Sequence, residues 1–298
     1  MVQKRSSKGK GSNKAAAPVD AYAEVTARLL AEMEQGVLPW TKPWSAKAGS
    51  ALGLPMNGST GRTYRGVNIL TLWLGGWCSP RWYSYRQAQA LGGQVRRGEK
   101  GARILFFRML EKEDTQTGEV EEVPLARLSS VFNEEQIDWA EGAPAAVEDV
   151  YPEARLVLTK SGADVRTGGA KAYYSPSGDY IRLPAFEAFE SEERYWATAL
   201  HELVHWTGAP ARLDRDFGAQ GTEAYAFEEL IAEMGAAFLC AQLGIPAIDR
   251  HAGAYLKHWM ARGRQDKRAF VRAASLAQKA ADYILDLAEA TRPTKAAA

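Results

Sequence analysis

Cysteine and histidine are scarce in this chain. Of 298 residues, two are cysteine and four are histidine. Cys78 and Cys240 lie far apart and form no C-x-x-C pair, which argues against a disulfide framework and fits a reducing cytoplasm. No apolar run approaches the ~20 residues of a membrane helix, so no membrane partner is expected. The N-terminus is basic but lacks a following apolar segment, which excludes a secretory signal. A net charge of +1 excludes a uniformly polybasic chain, and the 46% hydrophobic content suffices for real cores. The length allows one large domain or two ordinary ones.

Two of the four histidines stand in one pentad, His201-Glu202-Leu203-Val204-His205. Residues four apart share a helix face. Two imidazoles so placed can close on one zinc ion, with Glu202 beside a water on that ion. The flanks fit a helix over 191–207: Ser191 is a suitable N-cap, Glu192 and Glu193 follow in the first turn, and Gly208 supplies a stop.

A catalytic zinc needs a third protein ligand. His251 and His258 lie well downstream. A better source is the next helix, expected over 222–243, whose apolar stripe includes Phe227, Leu230, Ile231, Met234 and Phe238. Glu233 interrupts that apolar run, and a buried carboxylate is costly unless paired. Glu229 lies one turn earlier on the same face and is read as the ligand. Glu233 is then the partner that fixes a histidine tautomer. Glu228 would point off this face. Trp206, Asp214, Arg215 and Tyr225 are near the pattern without an assigned role.

The front of the chain has a different character. Residues 1–17 carry Lys4, Arg5, Lys8, Lys10 and Lys14 and no acid. They read as a disordered basic arm. A helix is expected from residue 19 or 20 to 35, an irregular loop over 39–60, short helices over 67–75 and 84–91, and a strand over 103–109. The acidic stretch 111–122 reads as a turn or exposed loop, with a returning strand over 123–132. From Gly61 to Arg108 there are nine Lys/Arg and one acid, Glu99; from Leu183 to Cys240 there are eleven Asp/Glu and three Arg. The cations Arg62, Arg65, Arg96, Arg97, Lys100 and Arg103 are interleaved with Tyr64, Trp82 and Tyr83. That composition suits a single-strand nucleic-acid groove, in which cations track phosphates and rings stack on bases. Trp73 and Phe106 are expected in the core instead.

The back half is expected to hold paired strands over 171–174 and 180–183, the latter offering an edge to an extended substrate. A last helical stretch, 251–290, is expected to break near Gly263. The fold class is α+β. The domain reading is a basic arm (1–17), a single-stranded-DNA-binding domain (18–140), a linker (141–150) and a domain carrying the metal pattern (151–298).

The H-E-x-x-H pattern followed by Glu229-Leu-Ile-Ala-Glu233 resembles the gluzincin branch of zinc metallopeptidases. The front half, with Asn57-Gly-Ser-Thr-Gly-Arg-Thr-Tyr-Arg-Gly-Val-Asn68, Trp82–Tyr85 and Gly98-Glu-Lys-Gly101, resembles the N-terminal domain of ArdC-type antirestriction proteins. A related module occurs in TraC-type plasmid primases, but this chain has no primase active-site motif. The resemblance implies a cytoplasmic protein that shields incoming conjugative plasmid DNA from restriction. It implies zinc, or another divalent ion, on His201, His205 and Glu229, with Glu202 as general base and acid. Implied partners are single-stranded DNA, with double-stranded DNA also open, and a protein substrate or restriction component. Two alternatives stand beside the peptidase: a non-proteolytic binding module whose metal is structural, and an acidic DNA mimic.

Overall fold

The computed structural model describes residues 20–36, 38–40, 53–113, 120–140, 154–246 and 253–290. The basic arm, the expected linker, His251 and the tip of the 111–122 stretch lie outside the described residues.

The front half opens with α1 (Ala21–Glu34), capped by Asp20, whose Oδ1 accepts from the backbone N–H groups of Tyr22 and Ala23. Strand β1 (Met56–Asn57) leads to α2 (Val67–Trp73), β2 (Arg81–Tyr83), α3 (Tyr85–Ala90), β3 (Gly93–Val95), β4 (Ala102–Glu113), β5 (Val120–Asn133) and β6 (Ile137–Trp139). The larger sheet has the order β1-β2-β5-β4, while β3 pairs with β6. The β4–β5 ladder runs from Ala102↔Val131 to Glu113↔Val120, so both ends of the acidic stretch are strand. Asn68 covers the outer edge of β4: its amide donates to Leu105 O at 2.8 Å and its Oδ1 accepts from Leu105 N at 2.7 Å. A bare strand edge is thereby closed.

The back half contains α4 (Ala154–Lys160), β7 (Asp164–Thr167), β8 (Tyr173–Ser175), β9 (Tyr180–Leu183), α5 (Glu192–Thr207), α6 (Glu223–Gln242), α7 (Gly253–Gln265) and α8 (Ala269–Ala290). Strand β9 is flanked by parallel β7 and antiparallel β8. The expectation that 180–183 offers a free edge is therefore corrected, because both of its edges are already hydrogen-bonded. The expected break near Gly263 is present. It falls at residues 266–268, and Gly263 lies inside α7, where a Cβ would come within 2.3 Å of the Phe270 ring.

The two halves share one continuous core. Buried residues of α1 and α2 join those of α5, α6, α7 and α8 in a single cluster. The Trp73 and Phe238 rings lie 6.0 Å apart, and those of Trp40 and Trp259 lie 5.7 Å apart. Small residues allow close approach around the metal helix. Helix α8 presents Ala273, Ala274, Ala277, Ala280 and Ala281 to the core, and Gly235 of α6 sits against Val204 of α5. At the junction, Gly66 N donates to the buried Gln278 Oε1 at 3.1 Å. No helix among the described residues is long and apolar enough to cross a membrane.

Candidate metal centre

Helix α5 begins where Ser191 Oγ accepts from Arg194 N, and it ends at Gly208. Helix α6 begins where Thr222 Oγ1 accepts from Tyr225 N. The two helices pack against each other and carry the site between them. His201, His205 and Glu229 each offer one donor atom, and these atoms lie within 4.8 Å of one another. Glu229 Oε2 is 3.6 Å from His201 Nε2, and Glu229 Oε1 is 3.6 Å from His205 Nε2. Two ligands about 2.1 Å from one ion at a tetrahedral angle lie roughly 3.4 Å apart, so the spacing fits a shared divalent ion. The two imidazole rings stand nearly perpendicular, at 84°. Glu202 is buried on the same helix.

Each histidine of the cluster has a carboxylate behind it. Glu233 Oε1 lies 3.3 Å from His201 Nδ1, although the contact is off the line of a hydrogen bond. Glu228 Oε1 lies 3.1 Å from His205 Nδ1. Outer carboxylates of this kind set the tautomer and orientation of ligand imidazoles. Glu228 does point away from the ligand face, yet sequence reasoning missed where it goes. It is buried and paired with Arg215, whose Nε reaches Glu228 Oε2 at 2.9 Å and whose Nη2 reaches Oε1 at 2.7 Å. Arg215 also donates to Val204 O and Thr207 Oγ1, tying the end of α5 to α6.

The loop after α5 explains how Arg215 returns to the site. Leu213 N donates to Thr207 O and Arg215 N to Gly208 O, with Asp214 at φ 46° making the turn. A Cβ on Gly208 would meet Arg215 Nη2 at 2.9 Å, so the bare Cα leaves the guanidinium its path. The only sequence signal was an arginine shortly beyond the helix stop, and spacing alone does not show that a loop folds back.

The electrostatics follow from burial and pairing. Desolvation lowers the His205 pKa, but the hydrogen bond to Glu228 and the nearby Glu229 carboxylate outweigh it and push the imidazole up to about 10. Burial alone would raise Glu229, yet its contacts with both histidines hold it far below the usual carboxylate range. Tyr225 lies one turn before Glu229; burial and that carboxylate push its phenol well above the ordinary value. The exposed His258 lies on α7 and outside the donor cluster.

Two comparisons match domain families. Residues 152–276 match the zincin-like metallopeptidase family, and residues 19–132 match the N-terminal domain of anti-restriction factor ArdC. The metal-free crystal structure of the antirestriction ArdC protein from plasmid R388 is 42% identical, with a TM-score of 0.79, covering 92% of this chain and 100% of that one. The chain belongs to the ArdC antirestriction family. The Mn(II)-bound form of the R388 protein superposes with a TM-score of 0.76 at 41% identity, covering 92% of this chain and 100% of that one. Protein y4eC of Sinorhizobium fredii (strain NBRC 101917 / NGR234) is 38% identical, covering 90% of this chain and 92% of that protein. A DNA primase TraC of Escherichia coli is 39% identical over 89% of this chain, but the chain spans only 27% of that primase. The centre of this ArdC family member therefore has the donor set for a divalent metal, in a zincin-like domain.

The front-half residues are less uniform than their composition implied. Trp82 and Tyr83 are corrected as stacking residues, because both are buried. Trp82 packs with Leu72, Ile104 and Val131, and Tyr83 packs with Ala88, Val95 and Ile137. Strand β2 lies inside its sheet with one ring on each face, and both faces are covered. Tyr64 is only partly buried. Arg65 pairs with Asp282, Arg96 with Glu99, and Arg103 with Glu24 at 3.5 Å. Arg62, Arg97 and Lys100 are exposed. Phe106 reverses its expected place: it is 58% exposed and sits directly across the ladder from exposed Arg127.

Proposed function

We propose that this ArdC family member protects incoming plasmid DNA from restriction, binding single-stranded DNA with its front half and hydrolysing a protein target at its metal centre. The reading places the protein in the cytoplasm. The observation that carries it is the meeting of His201, His205 and Glu229 beside Glu202, each histidine backed by its own carboxylate.

Zinc is the metal proposed, since two imidazoles and one carboxylate suit it. A divalent ion there lowers the pKa of a coordinated water and polarises a carbonyl. Glu202 takes the proton from the attacking water and returns it to the leaving amine. Tyr225, kept protonated by burial and Glu229, donates a hydrogen bond to the developing oxyanion. Arg215 and Glu228 keep His205 aimed. On the front half, Arg62, Tyr64, Arg97, Lys100, Phe106 and Arg127 offer the open cations and rings for the strand. Arg65, Arg96 and Arg103 can join by exchanging their partly exposed carboxylate partners for phosphates.

The test is conjugation into a restricting recipient with wild type and Glu202→Gln at equal metal content. Loss of protection in the variant, with metal and single-strand binding retained, supports hydrolysis. Full protection would move the function to binding alone.

A further inference from the structure

The outer face of the β7–β9–β8 sheet is not used by the metal centre. Registry puts Arg166, Arg182 and Tyr173 in one row across the three strands, and Asp164, Tyr180 and Ser175 in the next. Residues two apart on a strand share a face, so all six project the same way. The alternating residues Val165, Tyr174, Ile181 and Leu183 belong to the core.

This face carries two tyrosines and two arginines against one aspartate. Tyr173 is 41% exposed. Its hydroxyl lies 3.3 Å from that of Tyr180, and the two rings meet edge to face with centroids 6.1 Å apart. The Arg166 guanidinium already stacks over Tyr180 at 4.0 Å and is neutralised by Asp164 at 2.6 Å. Arg182 and exposed Lys171 have no ion-pair partner among the described residues. After the Arg166–Asp164 pair is set aside, one open ring and two free cations remain. Flat rings flanked by cations suit single strands, because every base has a face to stack and every nucleotide a phosphate.

We propose that this face is a second contact surface for single-stranded nucleic acid, with Tyr173 stacking on a base and Lys171 and Arg182 meeting phosphates. The proposal rests on the reading that the protein binds single strands. It extends that binding onto the half that holds the metal.

The full chain is tested with oligodeoxynucleotides carrying 5-iodouracil, photo-crosslinked and mapped by mass spectrometry. A salt series of binding curves accompanies the mapping. Crosslinks are expected at Tyr173 in addition to the front half. Tyr173→Ala should remove that crosslink and weaken binding by about 5- to 150-fold, the range one base–aromatic stack supplies. Tyr173→Phe keeps the ring and should retain binding. The pair Lys171→Gln and Arg182→Gln should reduce the slope of log K against log salt by about 1.4, or about 0.7 per lost phosphate contact. Crosslinks confined to residues before 140, with an unchanged slope, would overturn this second surface while leaving the front-half reading intact. If wild type binds no single strand at all, the proposed function itself fails.

Discussion

Arg215 and Glu228 meet through two parallel contacts of 2.7 and 2.9 Å in the interior, directly behind His205 of the candidate metal centre. Both side chains are almost wholly buried. Removing one partner leaves the other charge buried and uncompensated, which costs about 3–5 kcal/mol. Arg215→Met is therefore expected to destabilise the protein by that amount. It should also weaken divalent-metal binding by about 10–100-fold through loss of imidazole aim. Urea unfolding and competition with a chelating dye measure the two effects. Unchanged metal affinity would detach the pair from the centre.

Metal removal should lower the melting temperature without dismantling the fold. The candidate donors sit on α5 and α6, which are held together by the continuous hydrophobic core. Metal at 100 times its Kd adds about 2.7 kcal/mol. Far-UV circular dichroism should stay near its starting value after chelation while calorimetry reports the lower melting point. Wholesale loss of helix signal would show that the metal is needed to fold the domain.

Gly235 brings α6 against the turn of α5 that lies between the two ligand histidines. A Cβ there would stand 2.9 and 3.0 Å from the Val204 methyl carbons. Gly235→Ala is expected to cost about 1–3 kcal/mol by overpacking and to weaken metal binding. Val204→Ala in the same chain should restore most of both losses, since it removes the colliding methyls. Failure of that rescue would place the strain elsewhere.

Tyr174 supplies a pH signature for the sheet beside the metal helix. Its hydroxyl donates to Asp179 at 2.9 Å, and Arg212 links Asp179 to Trp206 O at the end of α5. Burial, reinforced by Asp179, pushes the Tyr174 phenol up to about 12. The folded value lies above the ordinary value of 10, so its stabilising contribution is complete below pH 10. That contribution is lost as pH rises through about 12. The stability gap between wild type and Tyr174→Phe should narrow between pH 10 and 12 in urea titrations. A constant gap would contradict this assignment.

Phe106 and Trp82 should behave oppositely. Phe106→Ala is expected to leave stability nearly unchanged and to weaken single-strand binding by about 1–3 kcal/mol. Trp82→Ala should cost about 3–5 kcal/mol of stability through the cavity it leaves. Fluorescence anisotropy and thermal unfolding on the same two samples decide the matter. Unchanged oligonucleotide affinity in Phe106→Ala would remove that ring from the strand path.

That His201 and His205 share a face was legible in sequence because a helix has a fixed period, and spacing alone puts i and i+4 together; the expectation that Glu229 of the next helix meets them agrees with their convergence in one donor cluster. Caps at Ser191 and Thr222 mark the helix starts by the same local chemistry. The strand pairing of 173–175 with 180–183 was equally local. Tertiary structure decided what spacing cannot carry. It sent Glu228 to His205 and brought Arg215 back from a loop. It buried Trp82 and Tyr83 because their strand lies inside a sheet, and exposed Phe106 because it lies past the end of the cluster that covers Ala102 and Ile104 on the same face of its strand. It also fused the two halves into one core, with α1 and α2 packed on the helices that hold the candidate metal donors. Local periodicity determines which residues share a face; only the packing of distant elements determines what that face meets.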